Sequence, residues 1–305
     1  MLNEKTGRPV RIVSISFNNK SLDEISGVVD QEGSKGTDII VLPETWNGEQ
    51  GEPETLEGVT VSRMAELAEK NKTYIVCPIF RKTEYAKRLN SAILLDRQGK
   101  VVFIYDKVFP YWSEFDLQPP TGPGLEAPVY QADFGCIGIA ICFDVNFPEV
   151  WKRMADQGAE LILWVSAYSA GTTLQAHAIN HNYYIVTSTS AGDCIVYDIT
   201  GEEIFYEKSE GINVSRITLD LDRRIYHQDF NIEKRDKLLA EHGDSIQEEI
   251  FMEREQWFVL KAVKPGVSVR ETAKKYGMEE LRDYKERSRR EIDKMRGWRF
   301  IGKTI

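Results

Sequence analysis

Three reactive side chains stand directly after apolar runs. DIIVL leads into Pro43-Glu44, VVFIY into Asp106-Lys107, and IGIAI into Cys142-Phe143-Asp144. A carboxylate, an ammonium and a thiol form a workable chemical set. A free thiol ionises only near pH ~8.5, so it needs a neighbour to act as a nucleophile at neutral pH. A carboxylate can take its proton as general base. An ammonium favours the thiolate, and can also stabilise the oxyanion formed when sulfur attacks a carbonyl or nitrile carbon. The turn after Cys142 adds a backbone donor, the N–H of Phe143. Pro148-Glu149 suit the first turn of the next helix, where a missing N–H costs nothing and a negative charge meets the positive helix end.

These residues meet only if strand ends converge. RIVSISF (11–17), DIIVLPE (38–44), TYIVCPIF (73–80), SAILLD (91–96), VVFIYDK (101–107), CIGIAICFD (136–144), LILWVSA (161–167) and YYIVTSTS (183–190) all read as strands. CIVYD (194–198), EEIFYE (202–207) and the alternating run 215–221 complete the set. Helical periodicity falls near 20–32, 58–71, 147–158 and 173–182, and DRQGK and DITGEE are hairpin turns. Alternation of strand and helix, mixed with hairpins, predicts an α/β sandwich with mixed sheets. In such sheets the carboxyl ends of strands form the ligand crevice. Ile137, Ile139 and Ile141 share one strand face, a natural core face. Cys136, Gly138, Ala140 and Cys142 share the other, which is small enough for a neighbouring layer to approach closely.

The chain has 305 residues, 42% of them hydrophobic, enough for a sizeable core. Its net charge of -9 argues against general affinity for nucleic acid or anionic membrane. No apolar run approaches the ~20 residues that span a bilayer, and MLNEKTGRPVRIV lacks the apolar core of a secretory leader. The expected location is the cytoplasm, with Cys77, Cys136, Cys142 and Cys194 as free thiols. After about residue 224 the character changes. The expected division is a catalytic domain over 1–224 and a charged, helical C-terminal extension over 225–305, with little core of its own. It would pack on the domain or at a subunit interface. Residues 258–305 carry a net charge of +7. Within them, VSVRETAKKYGMEELRDYKERSRREI loosely matches a helix-turn-helix, which would make the chain a regulatory nucleic-acid-binding protein. The plainer reading is two short amphipathic helices joined at Gly277, and the acidic body favours it.

LPE (42–44), NSAILLDRQGK (90–100), YDKVFP (105–110), ICFDVNFPE (141–149) and GAELILWVSA (158–167) resemble the nitrilase superfamily of carbon–nitrogen hydrolases. The resemblance runs in order over roughly residues 10–220. It implies an αββα sandwich that pairs into an αββα–αββα homodimer or higher homo-oligomer, with no cofactor and no metal. It also implies a small-molecule amide or N-carbamoyl substrate and a covalent thioester. By motif, Glu44 is the general base, Lys107 the oxyanion stabiliser and Cys142 the nucleophile. Many members use a second glutamate. Glu114 is the candidate, since Glu126 sits in a surface turn. The sequence Cys142-Phe143-Asp144 favours an amidase or carbamoylase over a true nitrilase, which resembles Cys-Trp-Glu. The proline-rich loop 108–124 is expected to wall the pocket, with Trp46, Tyr111, Trp112 and Tyr168 as candidate lining. Asp144 is expected to brace the turn. His177 and His181 have a metal-ligand spacing, but without a matching carboxylate or thiol they read as ordinary solvent or core histidines.

Overall fold

In the computed structural model, residues 5–46, 52–83 and 87–297 are described. They form two compact units, one of Val10–Thr218 and one of Leu219 onward together with the residues up to Pro9.

The larger unit begins with β1 (Pro9–Ser16), α1 (Leu22–Gly33), β2 (Ile39–Val41), α2 (Val59–Asn71) and β3 (Tyr74–Lys82). β4 (Arg88–Leu95), β5 (Val101–Asp106), the single turn α3 (Trp112–Phe115) and the two-residue β6 (Thr121–Gly122) follow. A second series runs β7 (Val129–Gln131), β8 (Cys136–Ile141), α4 (Pro148–Asp156), β9 (Leu161–Ser166), α5 (Thr172–His181) and β10 (Tyr184–Thr189). It ends in β11 (Asp193–Tyr197), β12 (Glu203–Lys208) and β13 (Asn213–Asp220). The strands form two sheets, ordered β13-β1-β2-β3-β4-β5 with β6 beside β4, and β12-β11-β10-β9-β8-β7. β1, β2 and β3 run parallel, and β4 and β5 fold back antiparallel. β8, β9 and β10 repeat that parallel trio, and β11 and β12 repeat the antiparallel pair. The mixed α/β class expected from the sequence is found.

Periodicity explains the layering. α1 turns Ile25 and Val29 inward, and α2 turns Val61, Met64, Leu67 and Ala68 inward. They pack on Val13, Ile15 and Phe17 of the β1 run, Ile40 and Leu42 of the β2 run, and Ile75 and Cys77 of β3. α1 starts at Ser21 with a reciprocal capping box to Glu24. The opposite face of β1 ends in two buried serines. Ser14 Oγ donates to Thr187 O (2.7 Å), Ser16 Oγ to Asp193 O (2.8 Å) and Ser188 Oγ to Ile15 O (2.9 Å). Small hydroxyl side chains thus join the two sheets at close range. In the second sheet, the small face of β8 lies under α4. A Cβ on Gly138 would come within 2.6 Å of Met154 Sδ.

The C-terminal unit corrects the sequence reading. The segment is not only helical. β14 (Arg224–His227), α6 (Ile232–His242), β15 (Ile246–Met252) and β16 (Trp257–Ala262) give a three-stranded antiparallel sheet ordered β14-β16-β15. α7 (Val269–Lys275) and α8 (Leu281–Met295) follow, joined through Gly277 at φ +67°. The unit has its own core of Tyr226, Leu238, Ile246, Phe258, Leu260, Val269 and Ala273. The expected division at 224 falls inside β14, and residues 298–305 of the expected extension lie outside the described residues. The hairpin escaped notice for physical reasons. β15 is an edge strand with alternate residues exposed, so its glutamates resemble helix surface. Its turn, Glu253 to Gln256, contains neither Gly nor Asn, and Gln256 itself takes φ +59°. Among the described residues no helix is long and apolar enough to cross a membrane.

Candidate active site

Lys107, at the end of β5, is 1% exposed, and its ammonium lies between two carboxylates. Nζ donates to Glu44 Oε1 at 2.8 Å and to Glu114 Oε2 at 2.6 Å. Burial works against its charge, but Glu44, Cys142 and Glu114 together hold its pKa well above the ordinary lysine value. The loop after β2 places Glu44, and α3 places Glu114. The Glu114 carboxylate reaches back to Tyr111 N (2.7 Å) at the start of its own helix, which fixes its direction.

A fourth residue completes the frame, one that the sequence reading passed over. Asn90, 1% exposed on β4, donates through Nδ2 to Glu44 Oε1 (2.7 Å) and Glu114 Oε1 (2.8 Å). Ala167 N, just past β9, donates to Glu44 Oε2 at 2.8 Å. Counting acceptors, Glu44 Oε1 is saturated by Lys107 and Asn90, while Oε2 keeps a free lone pair. The signal for Asn90 was an amide near the start of a buried run, two positions before Ala92 on the same strand face.

Cys142 ends β8 in a left-handed conformation, φ +48°, and begins a one-turn 3-10 helix over Cys142–Asn146. A non-glycine residue held there is strained, and such strain collects at functional sites. The N–H of Phe143 belongs to the first turn, where helices lack internal acceptors. Asp144, fully buried, braces the elbow: it accepts from Ile141 N (3.1 Å), Tyr105 Oη (2.7 Å) and Phe109 N (2.9 Å). Trp164 Nε1 donates to Cys142 O (3.2 Å) from β9. Burial, reinforced by the Glu44 carboxylate, pushes the thiol well above its usual pKa, against the pull of Lys107 and Ser166. Both causes favour the neutral thiol beside the Glu44 carboxylate.

A cavity of about 290 Å³ opens on this cluster, lined by Glu44, Lys107, Glu114, Cys142, Asn90 and Tyr111, with Phe80, Leu117 and Thr45 also contributing. Of the other aromatics considered, Trp46 is buried in the core, edge-on to Phe17 at 5.7 Å. Trp112 is 74% exposed. Tyr168 sits edge-on to Trp164, is partly exposed, and does not line the cavity. His177 is committed to structure: Nε2 bonds Val145 O at 2.8 Å, and the ring stacks on Trp151 at 4.3 Å, tying α5 to the elbow. Cys77, Cys136 and Cys194 are buried thiols. Burial raises Cys194 to about 12.

The carbon-nitrogen hydrolase family pattern matches residues 18–225. The chain belongs to that family. It is 28% identical over 201 residues to a deaminated glutathione amidase of Synechocystis sp. (strain PCC 6803 / GT-S), covering 57% of this chain and 72% of that protein. It is 20% identical over 194 residues to the omega-amidase NIT2 of Xenopus tropicalis, covering 57% and 70% respectively. The fold is shared with a double mutant of the amidase from Nesterenkonia sp. AN1 in complex with acrylamide. That likeness has a TM-score of 0.61 at 20% identity, over 76% of this chain and 97% of that one.

Proposed function

We propose that the protein is an amidase that hydrolyses the C–N bond of a small linear amide, with N-carbamoyl amines as the neighbouring substrate class. The observation that carries this reading is the Lys107 ammonium held at 2.8 and 2.6 Å between Glu44 and Glu114, in the cavity that also holds Cys142. A cavity near 290 Å³ suits a small acyl group, at the low end of the roughly 300–1,000 Å³ typical of ligand sites. The amidases among its relatives support amide over nitrile chemistry.

The steps follow from the hydrogen-bond count. The Cys142 thiol gives its proton to the open lone pair of Glu44 Oε2 as sulfur attacks the carbonyl carbon. An S–C bond forms, and the carbonyl π pair moves to oxygen. Lys107 and the Phe143 N–H hold that oxyanion. As the oxyanion collapses, the C–N bond breaks and nitrogen takes the proton from Glu44, leaving as ammonia or amine. Glu44 then deprotonates water, which attacks the thioester. The carboxylic acid departs, and the proton returns to Cys142. Glu114 and Asn90 position Lys107 and Glu44 throughout. The acidic charge and the buried cysteine thiols favour a cytoplasmic enzyme, and the family resemblance favours a homodimer.

A panel of small amides, N-carbamoyl amines and nitriles, read by ammonia and amine release, tests the proposal. Amide turnover is expected, with a stable acyl adduct on Cys142 visible by mass spectrometry on slow substrates. Cys142→Ala should lower turnover by about 10⁴-fold or more. Undiminished turnover in that variant, or turnover of nitriles alone, would overturn the assignment.

A further inference from the structure

The C-terminal unit contains a cavity of about 580 Å³, larger than the one around Cys142 and built from a separate set of residues. Its floor is the end of β14. Tyr226 is 1% exposed, and its hydroxyl has no hydrogen-bond partner. His227, beside it, is equally buried. Its Nε2 stands 3.5 Å from Glu279 Oε2, and its Nδ1 is not hydrogen-bonded. A buried polar group left unmet is destabilising, so such groups collected along one cavity floor point to an absent polar occupant. Burial lowers the pKa of His227, so the neutral ring offers one donor and one acceptor.

The cavity is preformed. Asn231, fully buried at the start of α6, donates to His227 O (2.9 Å) and Glu279 O (2.8 Å) and accepts from Glu279 N (3.2 Å). One side chain therefore joins β14, α6 and the turn between α7 and α8. Tyr284 stacks over the His227 ring at 4.0 Å and holds its orientation.

The walls differ in sign. α7 presents Arg270 and Lys274, one helical turn apart on one side. The start of α8 presents Glu279, Glu280 and Asp283. Most of these charges are already matched. Arg287 holds Glu279 through two bonds of 2.8 Å, and Arg224 and Arg270 each lie 3.3 Å from Glu280. Among the described residues, Lys274 on one wall and Asp283 on the other are in no ion pair. A dicarboxylate or phosphate would face the acids of α8, and a diamine would face the cations of α7. A molecule carrying one charge of each sign satisfies both walls.

We propose that this cavity is a second small-molecule site that binds a zwitterion of the α-amino-acid type. The carboxylate lies toward Lys274 and the ammonium toward Asp283, over the Tyr226 hydroxyl and the His227 ring.

The test is calorimetric titration of the full chain carrying Cys142→Ala, so that nothing is turned over. The probes are a panel of L-amino acids, with succinate, putrescine and inorganic phosphate as controls of single charge sign. At least one amino acid should bind saturably, one per chain. Lys274→Glu, at an exposed helix position, should weaken it about tenfold or more, and the near-isosteric Tyr226→Phe about fivefold. The proposal fails if no amino acid saturates below about 10 mM, if either substitution leaves affinity unchanged, or if a single-sign control binds more tightly than every amino acid.

Discussion

The larger unit is built twice from one plan, and its two halves have diverged in what they carry. Each half runs through three parallel strands linked by helices and then folds back through two antiparallel strands. In the first half, the loop after β2 carries Glu44 and the end of β5 carries Lys107. In the second, the residue after β9 is Ala167, whose N–H clamps Glu44, and β12 ends in exposed residues without a site role. After β1 comes Phe17, packed into the core, and after β8 comes Cys142 in its strained elbow. A repeated frame thus offers matching strand ends, and the chemistry is divided between them. One half holds a buried ionic cluster, and the other holds the Cys142 thiol.

The largest effect on this comparison should come from the cation of the first half. Lys107→Met leaves Glu44 and Glu114 facing each other with no counter-charge. Turnover should fall about 10²–10³-fold, and stability to urea should drop by roughly 3–5 kcal/mol. Unchanged stability would mean that the two carboxylates do not depend on the lysine.

Asp144, the joint between the halves, tests the comparison through pH. Burial raises its pKa to about 7 despite the hydrogen bonds from Tyr105, Phe109 and Ile141. In the unfolded chain it titrates near ~3.9. Between those values the folded state holds an extra proton. Its contribution to stability is therefore complete below about pH 4 and is lost as pH rises toward 7, by about 1.4 kcal/mol per unit. Asp144→Asn removes the titration. The stability difference between wild type and variant should shift steadily against wild type over that window, and a flat difference would mean Asp144 is ionised throughout.

Asn90→Leu keeps the volume and removes both bonds to the glutamates. kcat should fall about 10- to 100-fold with little change in KM. A pure loss of stability with unchanged kcat and KM would reduce Asn90 to a packing residue. The smallest effect should come from bringing the halves closer in sequence. Counting back from Phe17 and Cys142, Val13 corresponds to Gly138. Gly138→Val would press on Met154 and Ile162, and should cost about 1–3 kcal/mol by thermal melting. A neutral result would show that the α4 layer is free to retreat.

Much of this was legible because strand ends announce themselves. Glu44, Lys107 and Cys142 each follow an apolar run that has to stop, and turn chemistry marks where. The fate of the aromatics was not legible. Trp46 lies two residues beyond Glu44, but Thr45 adopts φ +41° and the indole sits in the core. No composition rule foretells left-handed backbone at a threonine or a cysteine, since glycine and asparagine carry that signal. Asn90 was missed because a polar residue near the start of a strand looks like its boundary. The C-terminal sheet was missed because charge density hid its alternation, although the run Trp257 to Leu260 is apolar throughout and buried.

The hydroxyl seam between the sheets has a bearing on how a substrate gains entry. Ser14, Ser16 and Ser188 are fully buried and committed to directional bonds across the interface. Apolar faces can slip past one another at little cost, whereas sliding here by half a residue, about 1.7 Å, would break those bonds together in a dry interior. The sheets accordingly move as one body. Admission and release then fall to the loops above the strand ends, so opening rates should track changes in loop 108–124 and be indifferent to core substitutions that spare the seam.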